Sequence, residues 1–301
     1  MVSFVLIVLI SLVFSGIVIR TKSIASGRKG PGIWQPMKDI FKLFKKGAVY
    51  SETTSIIFQI APSIYFASVL MAIMVIPLGN SKGLISFAGD FVFFAYVLAV
   101  GKFFNIISAL DTGSSFEGMG ASREALFSML AEPAFFILLG SLGLLTGYTS
   151  FHEIFMAFHF GSYVSYALGV IATFILIMIC MIENSRMPVD DPKTHLELTM
   201  IHEVMILDNS GFDLGLIMHA INLKFAMYGA LIANMFLGDA PMYLTIPLFL
   251  SIQVLFAVVV GILESFSARF RMNHNAQFIL VLSSLSLLMF FGVLMVLGKF
   301  N

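Results

Sequence analysis

The segment ENSRMPVDDPKTHLELTMIHE, residues 183–203, sets Glu183, Asp190, Asp191, Glu197 and Glu203 among His195, His202, Arg186 and Lys193. The chain around it is oily: 59% of its 301 residues are hydrophobic and only 11% carry charge. Carboxylates and imidazoles strung together can pass protons by hydrogen-bonded hops. Imidazole suits this because its reference pKa of about 6.5 lies near working pH, and partial burial lifts carboxylates towards the same range. Asp191 followed by Pro192 makes an N-cap and first-turn pair. It predicts a short helix from about 192 to 207, with His195, Thr199, His202 and Glu203 on one face. Two blander readings stand beside this one. The acids could form a solvated loop, or the histidines could hold a metal. The spacing from His195 to His202 matches no zinc pattern, and HExxH fails at His202-Glu203 because position 206 is Ile.

A second acidic stretch, DTGSSFEGMGASREALFSMLAEP, covers residues 111–133. Its glycines loosen the backbone, and Ser122 is the predicted N-cap, with Arg123 and Glu124 in the first turn. Glu124, Ser128 and Glu132 then recur every four residues along one side of a helix entering an apolar run. An ionisable group at that depth is a functional candidate. So are Lys102 and Lys224, which lie within apolar runs and must face the bundle interior or water unless they snorkel. No Walker motif, Ser–His–Asp order or glycine-rich phosphate loop is present, so nothing points to covalent chemistry by this chain. Its single cysteine, Cys180, permits no internal disulfide and no cysteine-based cluster. Cofactors are therefore expected on other chains.

These residues must be positioned by helices in a bilayer. Apolar runs near 2–19, 56–78, 91–110, 125–147, 161–182, 213–236, 243–263 and 276–298 are each long enough to cross a hydrocarbon core. Unbroken runs argue for helices over an alternating β-barrel. The expected fold is all-α, a polytopic membrane protein with about eight transmembrane helices in a single domain, 1–301. The first run lacks a basic stretch before it and is read as a retained span. Thirteen Lys and Arg follow the odd-numbered spans and two follow the even-numbered ones, which places loops 20–50, 110–124 and 183–212 in the cytoplasm and both termini outside. In loop 20–50, Met37, Ile40, Phe41 and Phe44 alternate with Lys38, Lys42, Lys45 and Lys46, an amphipathic interfacial helix suited to lipid headgroups or a docked partner. A formal net charge of zero implies no attraction to nucleic acid. A stand-alone transporter would accommodate the buried lysines, but no inverted repeat relates the two halves.

Four segments carry a family likeness: RKGPGIWQPMKDIFKLFKK (28–46), LDTGSSFEGMGASREALFSMLAEP (110–133), the 183–203 stretch with DNSG (208–211), and SARFR (267–271). Together the chain resembles the subunit 1 family of respiratory complex I, the NADH–quinone oxidoreductase. Within it the chain is most similar to the membrane subunit of energy-converting [NiFe] hydrogenases, the formate hydrogenlyase subunit 4 type. The resemblance implies a non-catalytic subunit of an oxidoreductase complex in the cytoplasmic membrane of a prokaryote. It would anchor a peripheral arm and couple that arm's electron transfer to proton or sodium translocation. It further implies hydrogenase small and large subunits bearing the iron–sulfur clusters and Ni–Fe centre, and antiporter-like membrane partners. Glu124, Glu132, Glu183, Asp190 and Glu197 match the family's ion-path acids. Arg28, Gly30, Pro31 and Gln35 match its arm-docking loop, with Trp34, Arg123 and Arg186 beside them. Asp191, His195, His202, Glu203, Lys102 and Lys224 join the path on position alone. Val189, Asp191-Pro192 and Asp208-Asn209 depart from the quinone-reducing pattern, and a quinone-site subunit of a complex I-like enzyme stands as the alternative.

Overall fold

The computed structural model describes residues 1–158, 163–191, 200–238 and 240–298, Tyr163 and Val164 by their backbone alone. Among the described residues, eight helices are long and apolar enough to cross a membrane. In chain order the helices are α1 (Val2–Ala25), α2 (Gln35–Phe44), α3 (Ile56–Val75), α4 (Asp90–Asp111), α5 (Ser115–Thr146), α6 (Phe151–Ala157), α7 (Tyr163–Glu183), α8 (His202–Met205), α9 (Gly211–Leu237), α10 (Met242–Phe266) and α11 (Met272–Val296). The chain is an all-helical multi-pass membrane protein. No β-strand occurs among the described residues.

Helix α9 is the axis of the bundle. Nearly all of its residues are buried, and α1, α2, α3, α7 and α10 pack around it. Lipid tails are as apolar as leucine, so close packing and polar ties hold such helices together more than burial does. Phe14 of α1 stacks on Phe225 of α9 at 5.3 Å and leans on Phe256 of α10. At the opposite end from the acidic loops, the Asn234 amide nitrogen donates to Pro77 O and Ala230 O, both at 2.8 Å, while its oxygen accepts from Gly79 N. Asp90 similarly receives Ser150 Oγ and Phe151 N, fixing α4 to the start of α6.

Three expectations change. The helix expected to start at Ser122 starts at Ser115, after Ser114 in extended backbone, and runs for 32 residues. Gly120 is therefore not a loop residue. It lies inside α5, where a Cβ would sit 2.5 Å from Val204 and 2.8 Å from Ile201 O, so its small size lets α8 press against α5. Second, the helix expected over 192–207 is, among the described residues, the single turn α8, because Met200 and Ile201 are not helical. Residues 192–199, with His195 and Glu197, lie outside the described residues. Third, the amphipathic helix exists as α2, but it does not lie on lipid alone. Met37 and Ile40 are buried, and Phe44 packs on Phe212 and the His219 ring of α9. Phe41 remains exposed.

Candidate functional site

Four of the candidate residues meet in one series. The Lys102 ammonium of α4 lies 2.8 Å from Glu183 Oε1 at the end of α7 and 3.3 Å from Glu124 Oε1 of α5. The other Glu183 oxygen lies 3.2 Å from the Lys224 ammonium of α9, which also donates to Glu183 O at 2.8 Å. Lys102 further donates to Ser128 Oγ at 2.8 Å, and Ser185 Oγ donates to Glu124 Oε2 at 3.2 Å. Lys224 is fully buried and the other three side chains nearly so. Two carboxylates and two ammoniums thus alternate across four helices with no net charge. Burying ion pairs gains little stability over apolar packing, so this arrangement calls for a functional explanation. Lys102 is shared between two acids.

The expected row Glu124, Ser128, Glu132 divides. The first two are buried, whereas Glu132 is exposed on the side of α5 at mid-helix. It lines a narrow cavity of about 60 Å³ shared with Lys102, Glu183 and Tyr228. A carboxylate at mid-helix thus borders the buried series and faces outwards.

Asp190 sits apart from these residues. It is fully buried, pairs with Arg269 at 2.7 Å, and accepts the amides of Asp191, Ile201 and His202. Its carboxylate ties the post-α7 loop to the segment entering α8 and to the turn before α11. Arg123 supports the same segment by donating to Met200 O at 3.0 Å. Burial pushes the His202 imidazole down to about 4, with the Glu124 charge opposing and the Lys224, Lys102 and Arg186 charges assisting. Among the described residues its buried Nε2 has no hydrogen-bond partner. His202 and Glu203 line a second cavity of about 440 Å³, together with Asn184, Arg186, Asn222 and Gln35 of α2.

The expected docking residues do not form one patch. Arg28 and Trp34 are exposed, Gln35 donates to Asp39 at 2.9 Å, and Pro31 lines the larger cavity. Arg186 turns inwards, 3.4 Å from buried Glu264 and 5.1 Å over the Phe225 ring. Glu264 was not singled out by the sequence reading, yet it also pairs with Lys22 of α1 at 2.7 Å. Its signal was available: an acid ending an apolar run just before SARFR. Ser185 was missed as well, and it stands in the left-handed region at φ +47°.

Comparison with known proteins settles the family. The family model described as NADH dehydrogenase matches residues 1–295. The chain belongs to that family. Within it, the chain is 32% identical to "Hydrogenase-4 component C" of Escherichia coli (strain K12) over 233 residues, 77% of this chain and 73% of the relative. It is 28% identical to "Formate hydrogenlyase subunit 4" of the same organism over 251 residues, covering 83% and 79%. A chain from the membrane-bound sulfane sulfur reductase, an archaeal respiratory membrane complex, shares the fold, with a TM-score of 0.79 over 95% of this chain and 96% of that one at 19% identity.

Proposed function

We propose that this NADH dehydrogenase family member is the membrane-embedded, non-catalytic subunit of a membrane-bound [NiFe] hydrogenase complex. It anchors the redox arm and couples the arm's electron transfer to movement of protons or sodium ions. The observation that carries the reading is the buried series Glu124–Lys102–Glu183–Lys224, bordered by outward-facing Glu132. The series lies beside the loop that holds His202, so a charge change at the arm can bias Lys102 between its two acids. Asp190, Asp191, His195, Glu197, His202 and Glu203 would carry protons or movement from the arm to it. The names of the two bacterial relatives support the hydrogenase branch. The arm's small and large subunits would hold the iron–sulfur clusters and the Ni–Fe centre, and antiporter-like subunits would meet Glu132 within the bilayer. Arg28, Gly30, Pro31, Trp34, Gln35 and Arg123 would face the arm, in the cytoplasmic membrane of a prokaryote with both termini outside. Purifying the intact complex and identifying its subunits tests this. A hydrogenase large subunit supports it, and an NADH-binding subunit in its place overturns it.

One observation favours a second reading, a quinone-site subunit of a complex I-like enzyme. The cavity of about 440 Å³ between α1, α2 and α9 has room for a ring-sized headgroup, and it is lined by His202, whose Nε2 has no partner among the described residues. Inhibition of the complex by quinone-site ligands distinguishes the two.

A further inference from the structure

The end of α1 closes in a turn built on Ser26-Gly27. Gly27 has φ +65°, and the Arg28 amide then donates back to Ser23 O at 2.9 Å while the Gly27 amide donates to Ile24 O at 3.0 Å. This pair of reversed bonds satisfies the last carbonyls of the helix and folds Arg28 and Lys29 beside it. Gly30 rests directly on the helix, since a Cβ there would lie 1.8 Å from Ser23 Oγ. The Arg20 guanidinium donates to Gly30 O at 3.5 Å and completes the turn. Helix α10 ends at the same level, held to α1 by the Lys22–Glu264 bridge of 2.7 Å.

Between these two helix ends is an open cleft of about 440 Å³, lined by Lys22, Ser23, Ser26, Arg28, Lys29 and Phe266. Glu264 also lines the cleft, and its charge is taken up by Lys22 and Arg186. Arg28 and Lys29 therefore leave the cleft positive. Ile24 is 67% exposed at its edge, Phe266 is 81% exposed, and Ile262 is exposed one turn back on the same face of α10.

We propose that this cleft binds the headgroup of an anionic phospholipid. Its phosphodiester would accept hydrogen bonds from Arg28, Lys29 and the Ser26 hydroxyl, and its acyl chains would lie along Ile262 and Phe266. A cation pair at the ends of two apolar spans is the pattern that anionic lipid recognises. The exposed aromatic and aliphatic side chains beside it favour lipid over an acidic protein segment, which would leave them uncovered. The inference shares Arg28 and Gly30 with the face proposed for the arm, and following lipid and peripheral subunits in the same measurement separates the two.

The test is native mass spectrometry of the intact complex after exchange into micelles with equal phosphatidylglycerol and phosphatidylcholine. Phosphatidylglycerol should be retained selectively. Replacing Arg28 and Lys29 together by Gln should reduce its retention roughly fivefold per cation, on the order of 20-fold for the pair. Replacing Lys82 and Arg271 by Gln removes equal charge from residues that do not line the cleft and should leave retention unchanged. Equal retention of both lipids by the unaltered protein would overturn the proposal, and that comparison stands even if the Arg28/Lys29 variant does not fold. Equal losses in the two double variants, displacement by inorganic phosphate, or loss of a peripheral subunit with lipid retained would each overturn it too.

Discussion

The Lys102 ammonium and Glu183 Oε1 lie 2.8 Å apart and join α4 to the last residue of α7. Neither residue has a local reason to be charged, since each belongs to a long apolar helix. What makes the pair tolerable is that each has a second partner, Glu124 for Lys102 and Lys224 for Glu183. The pair is therefore one link in a series, and removing any member changes the charge balance of the rest.

Replacing Glu183 by Gln leaves Lys102 with Glu124 but strands buried Lys224 with a backbone carbonyl. Breaking a buried pair from one side costs about 3–5 kcal/mol. Removing Lys224 as well, as Met, should recover part of that loss. The two changes together should differ from the sum of the single changes by about 0.5–3 kcal/mol. Thermal unfolding in detergent of the two single variants and the double variant measures this coupling.

Glu264 receives Lys22 from α1 and Arg186 from the post-α7 loop. Its change to Gln should destabilise the fold by about 3–5 kcal/mol, because two partly buried cations lose their counter-ion. The same change at Asp39, whose bridge to Lys42 is exposed, should alter stability by less than about 0.5 kcal/mol. Denaturation of the two variants side by side checks the contrast.

At Ser185 two effects can be separated. Ala removes the hydroxyl that Glu124 accepts and keeps the left-handed backbone, whereas Gly removes the hydroxyl and relieves the backbone. Gly should therefore be the milder change by about 1 kcal/mol, as read from the unfolding midpoints.

His202 is held neutral. Its pKa is about 4 in the fold against 6.5 when free, so the unfolded chain takes up the proton first. The stability it contributes is fully present above pH 6.5, declines as pH falls, and is gone below pH 4. That window corresponds to on the order of 3 kcal/mol. Replacing His202 by Gln should flatten this part of the pH–stability curve. The difference between the two proteins' melting curves isolates it from the carboxylates they share.

The spans were legible because bilayer thickness imposes a length and a composition that few other structures share. Thus α3, α4 and α9 lie within three residues of the runs seen in the sequence. The buried positions of Lys102 and Lys224 were legible for the same reason: an ammonium in such a run must turn inwards. What periodicity could not give was partnership. Glu124, Ser128 and Glu132 share a helix side by spacing, yet Glu132 faces out, because the four-residue repeat drifts around a helix of 3.6 residues per turn. The start of α5 was misplaced because Gly118 and Gly120 read as loop signals, and only the closeness of α8 shows why a helix keeps Gly120. Glu264 escaped notice because its two partners, Lys22 and Arg186, are both distant from it in sequence.

The most direct test of the proposed ion path is Glu124→Gln in the assembled complex, reconstituted into proteoliposomes, with ion uptake and hydrogen turnover measured on the same vesicles. Glu183 still pairs with Lys102 in this variant, so the fold and the arm should survive. Ion uptake should fall towards zero while hydrogen turnover, measured with the gradient collapsed, persists. Ion uptake per hydrogen equal to that of the unaltered complex would contradict the account.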